Sequence, residues 1–359
     1  MRFVMFYHSL VSDWNHGNAH FLRGIATELR ARGHDLLIFE PENGWSTRNL
    51  IQDQGHQPSE DFREVYPDLL SSPYDLNAFD LDESLDGADV VIVHEWNPRS
   101  LIERIANHRK SHAYRLYFHD THHRCVSDPG SIGLENLRDF DGILAFGESL
   151  RIRYQQYPGV PKVWVWHEAA DTRIFYPRDR TTRCGDLVWI GNWGDDERKR
   201  ELSDFLFAPV RRLKLQGRVF GVRYPQTALD ELSKSGLHYG GWLANFRVPQ
   251  IFCEFDFTVH VPRAPYRREL PGVPTIRVFE ALACGIPMIS APWDDTENLF
   301  TPGKDYLVAG DTDEMTEMLR ELRDNPRLRS ETAEHGLATI RRRHTCAHRV
   351  DQLLDIVRQ

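Results

Sequence analysis

Short apolar runs alternate with amphipathic segments along the whole chain. Residues 3–7 are apolar, apolar residues then recur at helical spacing from Phe21 to Leu29, and residues 35–39 are apolar again. This change of period predicts a strand, a helix and a second strand. Gly33 directly follows the predicted helix, where a left-handed C-cap residue is expected.

The same alternation recurs in two blocks separated by residues 169–181. Further strands are predicted at residues 90–94, 114–118, 142–146 and 162–166 in the first block and at residues 187–190, 218–220, 237–239, 255–261, 287–290 and 306–308 in the second. Helices between consecutive strands indicate parallel sheets covered on both faces. The separating segment has no hydrophobic periodicity, and it contains Pro177 and several clustered charged residues. These features are typical of an interdomain connection. We therefore predict an α/β protein with two doubly wound, Rossmann-like domains, residues 1–168 and 182–340, followed by a helical tail, residues 341–359.

Composition narrows the choice of partner and compartment. The 359 residues include 44 Lys and Arg against 53 Asp and Glu, and the net charge of −9 argues against a nucleic-acid partner. Five cysteines form no C-x-x-C pair, so a reduced, cytoplasmic location is expected. No apolar run reaches the ~18–20 residues of a membrane span, which leaves at most peripheral membrane contact.

The segment HVPRAPYRRELPGVPTIRVFEALACGIPMIS predicts a phosphate site ahead of a helix. Gly272 and its flanking prolines shape a tight turn, Thr275 stands at the N-cap position, and Arg277 lies in the first turn. Unpaired N–H groups at a helix N-terminus, including that of Ile276, favour a diphosphate when a cation lies beside them. Glu280 is placed one turn further on to accept hydrogen bonds from ribose hydroxyls. The alternative is a surface helix on which Arg277 and Glu280 pair with each other.

Three segments in this order resemble group 1 glycosyltransferases. VFEALACGIPMIS is similar to the family's EAMA-x-G-x-P-V-[IV] signature, EAADTRIFYP to its interdomain G-V-D-x-x-x-F-x-P segment, and GNAHFLRGIATELRARGHDLLIF to its first glycine-containing segment. HTCAHRVDQLL and WIGNWGDDERKREL are similar to the branch that includes spore-maturation-type glycosyltransferases. The resemblance implies a GT-B fold, two domains facing a central cleft, and a C-terminal helix that packs back on the first domain. It also implies a nucleotide-sugar donor on the second domain, with Glu280 on the donor ribose.

One position departs from the family pattern. The family often has a second Glu eight residues before the ribose Glu, in a loop that contacts the donor sugar. Here that position is Gly272, and Glu269 is near but out of register. The departure leaves open which sugar is held and whether catalysis is altered.

The loop after strand 187–190 is the next candidate for donor contact. Gly191 and Asn192 begin a turn, and the resemblance implies that Arg198, on a helix predicted from Asp195, neutralises the diphosphate. The alternative is a solvated helix face. A cation at the leaving phosphate stabilises the charge that develops as the glycosidic bond breaks.

LHYGGWL places two glycines and a tryptophan directly after another strand. Gly240 and Gly241 allow the backbone to approach a flat base, which Trp242 is placed to cover. The alternative is a tight turn over a core tryptophan.

In the first domain, LYFHDTHHRC carries clustered histidines at the end of strand 114–118. His122, His123 and Cys125 have ligand chemistry, but their spacing matches no standard zinc pattern, and no metal is expected. The resemblance implies that His119 faces the donor sugar and that Asp120 contacts sugar or acceptor. Such groups accept a hydroxyl hydrogen bond or orient the nucleophile. The alternative is a polar loop that caps the sheet.

The loop HSLVSDWNHGNAH after the first strand offers an aromatic face, polar groups and a helix opened by a glycine. We expect the acceptor to contact residues of this loop and of the neighbouring strand end that runs from His94 to Trp96. The candidates are Asp13, His16, Gly17, Asn18 and His94.

The resemblance implies a retaining, metal-independent glycosyltransferase that moves a sugar from a nucleoside diphosphate sugar, UDP-sugar first, to a hydroxyl. The residues expected to act on the reacting groups are His119, Asp120, Arg198 and Arg277. The acceptor is left open among a glycan, a lipid-linked molecule, a small molecule and a protein. The alternatives are a nucleotide-sugar epimerase or hydrolase and a non-catalytic nucleotide-sugar-binding subunit. An oxidoreductase is disfavoured because no G-x-G-x-x-G follows the first strand.

Overall fold

The computed structural model describes all 359 residues, and the chain divides into two compact units. The N-terminal unit consists of Met1–Glu168 and Cys346–Gln359, and the C-terminal unit is Ala169–Thr345. Each unit is built on one sheet, and all strand pairs in both sheets are parallel. None of the helices combines the length and the apolar composition that crossing a lipid bilayer requires.

The N-terminal unit has a seven-stranded sheet in the order β3-β2-β1-β4-β5-β6-β7. Its strands are β1 (Arg2–Phe6), β2 (Asp35–Pro41), β3 (Ser72–Tyr74), β4 (Val90–His94), β5 (Arg115–Asp120), β6 (Gly142–Ala145) and β7 (Lys162–Val165). Six of these match the apolar runs of the sequence within two residues at each end. The sequence reading missed β3, because it has three residues and includes a proline, which is tolerated here only at the sheet edge.

Seven helices of the N-terminal unit cover this sheet. They are α1 (Ala19–Ala31), α2 (Trp45–Gln54), α3 (Gln57–Val65), α4 (Leu81–Leu85), α5 (Arg99–Arg109), α6 (Arg124–Ser127) and α7 (Glu148–Gln155). The apolar stripe of α1 is fully buried from Phe21 to Leu29. Gly33 follows the helix with a φ of +79°, the left-handed conformation that a helix C-terminus favours.

The C-terminal unit has a six-stranded sheet in the order β10-β9-β8-β11-β12-β13. Its strands are β8 (Gly185–Ile190), β9 (Gly217–Phe220), β10 (Leu237–Tyr239), β11 (Phe255–His260), β12 (Met288–Ser290) and β13 (Leu307–Val308). Its helices are α8 (Lys199–Leu202), α9 (Ala208–Leu213), α10 (Gln226–Lys234), α11 (Val248–Cys253), α12 (Ala264–Arg268), α13 (Ile276–Ala283), α14 (Thr312–Asp324) and α15 (Pro326–Arg343).

The helix predicted from about Asp195 begins later, at Lys199. Gly194 and Asp195 have φ values of +78° and +49°, and a 3₁₀ turn at Asp195–Glu197 separates them from α8. A π-helical turn, Ser203–Phe207, then joins α8 to α9, whose Pro209 lacks the N–H that a regular helix would use. The resulting bends keep Arg198 beside the end of β8.

The last helix, α16 (Cys346–Arg358), belongs to the N-terminal unit and packs on α1. Trp166 Nε1–H donates to the carbonyl of Arg349 at 2.8 Å, and Arg349 Nε–H donates to the carbonyl of His167 at 2.8 Å. Because α15 ends in the C-terminal unit, the chain passes between the units twice, at residues 168–169 and 345–346.

Both sheets follow the doubly wound strand order, so the predicted fold class is confirmed. The order reverses between β1 and β4 in one unit and between β8 and β11 in the other. Such sheets bind ligands beyond the carboxyl ends of the strands at these reversal points.

Candidate functional site

Three glycine-containing loops meet beyond β8, β9 and β10. Gly191 N–H donates to the carbonyl of Phe220 at 2.9 Å, and Gly221 N–H donates to that of Gly241 at 2.8 Å. A Cβ on Gly221 would lie 2.2 Å from the carbonyl oxygen of Gly191, a distance that no side chain tolerates. Glycine is therefore required where these backbones approach each other.

The predicted base-site residues lie at this junction. Asn192 Oδ1 accepts a 3.0 Å hydrogen bond from the N–H of Val222, which fixes the turn. Gly240 lies against the ring of Phe220, Gly241 has a φ of +73°, and Trp242 is half-buried. The tight turn is present, but Trp242 is not a core tryptophan.

Arg198 is a buried cation at the reversal point between β8 and β11. Its guanidinium donates to the carbonyls of Trp193 at 3.4 Å, Val261 at 3.2 Å and Asn192. No carboxylate lies within ion-pair distance of it, although only 9% of the residue is exposed. Burial, followed by the charge of Arg263, lowers the pKa of Arg198 to about 9. The group therefore stays charged at pH 7, and the alternative of a solvated helix face is wrong for this residue.

Two more arginines add positive charge around Arg198, and each has a carboxylate partner. Arg263 donates to Glu197 at 2.7 Å, and Arg277 pairs with Glu280 one turn along α13. The charges of both arginines act on Arg198 and contribute to the lowering of its pKa. A buried cation among other cations is costly without an anion, so this loop junction favours a negatively charged ligand.

Thr275 occupies the N-cap position of α13, but its hydroxyl does not cap the helix. Ser290 donates to a carbonyl, so the 2.9 Å contact to His260 Nδ1 makes that nitrogen the donor. His260 Nε2, 3.0 Å from Thr275 Oγ1, is then the acceptor of the threonine proton. Burial lowers the pKa of His260 to about 3, in agreement with a neutral ring. Thr275 is therefore the N-cap residue, as predicted, but this pairing takes its hydroxyl away from the first-turn N–H groups.

Glu280 is completely buried, so α13 is not a surface helix at this position. Its Oε1 accepts a 2.7 Å hydrogen bond from Asn245 Nδ2, and its Oε2 accepts from Arg277. Arg277 and Glu280 therefore pair with each other, as the alternative interpretation of this helix predicts. A carboxylate has about four acceptor sites and can accept from several donors at once.

The backbone conformation restricts which residue can stand at position 272. Its φ is +86°, and a Cβ there would lie 2.1 Å from Thr296 Oγ1. A glutamate would need a different loop, and nearby Glu269 is exposed. A cavity of about 410 Å³ opens beside this turn, and Trp293 lines it with a buried Nε1–H that has no protein acceptor.

In the N-terminal unit, His119 and Asp120 end β5 and are buried. His119 Nε2 has no hydrogen-bond partner in the protein, and burial holds the pKa of His119 well below its usual range. Asp120 accepts a 2.9 Å hydrogen bond from the N–H of His122 and one from the hydroxyl of Tyr154. Burial, together with the neighbouring Glu95, raises the pKa of Asp120 to about 8. Burial therefore favours the neutral form of both side chains.

The end of β4 continues this neutral cluster. His94 Nε2 lies 3.0 Å from Thr121 Oγ1, and its Nδ1 lies 2.8 Å from Glu95 Oε2. Burial lowers the pKa of His94 to about 3 and raises the pKa of Glu95 to about 8. The rings of His8 and His16 complete the group, 4.0 Å apart, and burial lowers both pKa values. His16, predicted to bind the acceptor, therefore lies beside His94.

Other predicted acceptor residues have structural partners. Asp13 forms a buried 3.0 Å ion pair with Arg23, whose guanidinium also donates to the carbonyl of Leu10. Asn18 donates to the carbonyl of Thr121 at 3.1 Å and thereby ties the loop after β1 to the end of β5. Helix α1 begins at Ala19, so Gly17 lies before the helix rather than in its first turn.

Sequence reasoning missed four residues of these sites: His260, Arg263, Asn245 and Arg23. His260 is the last residue of β11 and Arg263 follows three residues later, and their position at a strand end was the available signal. Nothing local marks Arg23 or Asn245, because their partners lie 10 and 35 residues away.

Residues 198–355, a little under half of the chain, match the sequence profile of a family described as glycosyl transferase-like. Comparison with curated protein sequences gave no match.

Solved structures resemble this chain over its full length. An alpha-glucosyltransferase in complex with UDP and a 13-mer DNA has a TM-score of 0.76 at 13% identity, with 100% of both chains covered. Sucrose-phosphate synthase from Thermosynechococcus elongatus has a TM-score of 0.68 at 11% identity and covers 100% of this chain and 99% of its own. HepE of Anabaena, in complex with UDP and glucose, has a TM-score of 0.67 at 13% identity, with 100% of both covered. These likenesses establish the fold, and the expected GT-B fold is confirmed.

Proposed function

We propose that this protein is a glycosyltransferase that moves a sugar from a UDP-sugar to a hydroxyl acceptor. The observation that carries the proposal is Arg198, a buried guanidinium held by three carbonyls with no carboxylate partner. A diphosphate beside Arg198 would supply the missing negative charge. The glycosyl transferase-like profile and the UDP-bound structural relatives support this choice of ligand.

Three features of the C-terminal unit would hold the donor. Arg198 and Arg277 would bind the diphosphate together with the first-turn N–H groups of α13. Glu280 would accept from the ribose, and the glycine junction with Trp242 would hold the base. The arginines supply the charge neutralisation for which some enzymes use a metal, so we propose a metal-independent reaction.

In the proposed retaining reaction, the acceptor oxygen bonds to the anomeric carbon while the bond from that carbon to the phosphate oxygen breaks. The acceptor proton passes to the released diphosphate, because the low pKa of His119 makes its imidazole a poor base. His119 Nε2 and the Asp120 carboxyl instead position hydroxyl groups by hydrogen bonding. The net charge of −9 argues against DNA as the acceptor, although one structural relative was solved with DNA.

A thermal-shift panel with UDP, GDP, ADP and TDP tests the donor site. UDP at 100 times its Kd should stabilise the protein by about 2.7 kcal/mol. Incubation with UDP-sugars should then release UDP only when an acceptor is present, whereas a hydrolase releases it without one. If no nucleoside diphosphate shifts the unfolding temperature, the proposal is wrong.

Gly272 favours a second candidate, a nucleotide-sugar-binding subunit without catalysis. Its φ of +86° leaves no place for the glutamate that contacts the donor sugar in related sequences. A binding subunit would retain UDP binding and would lack transfer with every donor and acceptor tested.

A further inference from the structure

A second cluster of ligand-type side chains lies in the N-terminal unit, away from the strand-end histidines. His108 is in the last turn of α5, His112 follows three residues after this helix, and Asp82 is on α4. Because β5 begins at Arg115, this cluster lies at the amino end of the strand, whereas His119 and Asp120 lie at its carboxyl end.

The three side chains converge on one point. His108 Nε2 lies 3.0 Å from Asp82 Oδ1, and His112 Nε2 lies 3.5 Å from the same oxygen. The two imidazole rings stack with their centroids 3.7 Å apart. Three ligand atoms on a tetrahedral ion with bonds of 2.0–2.2 Å would be separated by about 3.3 Å, and the two measured distances bracket this value.

A hydrogen bond on the far side of the His112 ring determines where its proton lies. His112 Nδ1 is 2.8 Å from the carbonyl oxygen of His108, which can only accept, so Nδ1 carries the proton. His108 Nδ1 lies 3.0 Å from the hydroxyl of Tyr114, which can donate to it or accept from it. When its ring is neutral, His112 Nε2 therefore presents a lone pair to the carboxylate of Asp82, and a cation between them would relieve this contact. Histidine ligands of metals have this arrangement, with the other ring nitrogen donating to the protein.

Nearby cations do not oppose an ion at this point, because carboxylates pair with them. Arg109 lies 3.4 Å from Asp141, and Lys110 lies 3.1 Å from Asp139. Asp82 is exposed and His112 is partly exposed, so an ion can enter from solvent.

We propose that His108, His112 and Asp82 bind a divalent transition-metal ion of the zinc class, with water as the remaining ligand. Two imidazoles and one carboxylate are a ligand set that suits Zn²⁺. The ion would join α4 to the end of α5. With only five residues, α4 has little stability of its own. The site lies at the opposite end of β5 from the proposed reaction, so the ion would be structural, and chelation should leave transfer chemistry unchanged.

Isothermal titration of the chelator-treated full-length protein with ZnCl₂ tests the site. We expect one Zn²⁺ per chain and an affinity at least about tenfold weaker in His112→Ala and Asp82→Asn. His335→Ala, which removes an exposed histidine from α15, is the matched control and should bind like the unmodified protein. Circular dichroism of the metal-free variants verifies that they fold, and a Co²⁺ absorption spectrum reports tetrahedral coordination.

Two results would overturn the proposal. One is the absence of Zn²⁺ binding by the unmodified protein. The other is an unchanged isotherm in both His112→Ala and Asp82→Asn, since zinc would then bind elsewhere.

Discussion

The two units carry polar clusters at the same place in similar sheets, but the clusters have opposite electrical character. In the N-terminal cluster, burial favours the neutral forms of His119, Asp120 and Glu95, because it lowers the pKa of the histidine and raises the pKa of the carboxyls. The C-terminal cluster stays positive, since burial lowers the pKa of Arg198 only to about 9. Burial therefore shifts histidines and carboxyls toward their neutral forms and leaves an arginine charged. One architecture can in this way provide a site for hydroxyl groups and a site for an anion.

Removing the cation of the C-terminal cluster should have the largest effect. Arg198→Gln should lower the transfer rate about 10²–10³-fold, as loss of a donor to developing charge does in other enzymes, and should weaken UDP binding. Steady-state kinetics and calorimetry measure the two effects. Arg200→Gln, two residues away with 90% of its side chain exposed, is the control. If Arg198→Gln and Arg200→Gln had the same transfer rate and UDP affinity, the C-terminal cluster would not be the anion site.

Changing the neutral cluster should separate binding from chemistry. His119→Asn should reduce the transfer rate roughly 100-fold, which is the lower end of the loss expected when a group that contacts a reacting hydroxyl is removed. The affinity for UDP should not change. The exposed His56→Asn serves as the control for loss of an imidazole. A parallel loss of UDP affinity in His119→Asn would contradict the assignment of separate tasks to the two clusters.

Glu280→Gln should have a moderate effect on the donor alone. Replacing the carboxylate weakens its hydrogen bond to ribose, so we expect KM for the UDP-sugar to rise about tenfold, or about 1.4 kcal/mol, with little change in kcat. Glu269→Gln alters an exposed carboxylate near the same turn and should leave KM unchanged. A larger effect of Glu269→Gln would instead place the sugar-contacting glutamate there.

The smallest effect concerns stability and pH. Folded Asp120 keeps its proton up to about pH 8, whereas the unfolded carboxyl loses it above about pH 4, so its contribution to the unfolding free energy falls as pH rises between these values. Asp120→Asn should therefore gain thermal stability relative to the unmodified protein, and the gain should grow from pH 5 to pH 8. The exposed Asp68→Asn should show no such trend. A gain that does not depend on pH would mean that Asp120 is ionised in the folded protein.

Most of the fold could be predicted from the sequence because buried parallel strands are continuous apolar runs. Strand β3 and the helices after β8 were not predicted correctly for the same reason. Neither segment has a clear hydrophobic period. Ser72–Tyr74 is too short, and the region after β8 changes between three kinds of helix around Gly194 and Pro209. The pattern of apolar and polar residues indicates which positions are buried. It gives little information where backbone geometry alone determines the path of the chain.

The candidate site was less predictable, because its residues act through distant partners. The sequence marks Arg198 as a charge, but its hydrogen bond to Val261 spans 63 residues. The sequence predicts Thr275 as a helix cap, but it does not show that the hydroxyl of Thr275 pairs with His260. The restriction at Gly272 comes from Thr296, which lies 24 positions later in the chain.

Because α16 belongs to the N-terminal unit, it determines which fragments of this protein can fold separately. A fragment that stops at Glu168 would leave the face of α1 that α16 covers open to water, and would lack the Arg349 contacts at the end of the sheet. Such a truncation should aggregate when expressed. A redesigned gene that connects residue 168 to residue 346 through a short flexible linker would recreate the complete half-protein as an independent piece.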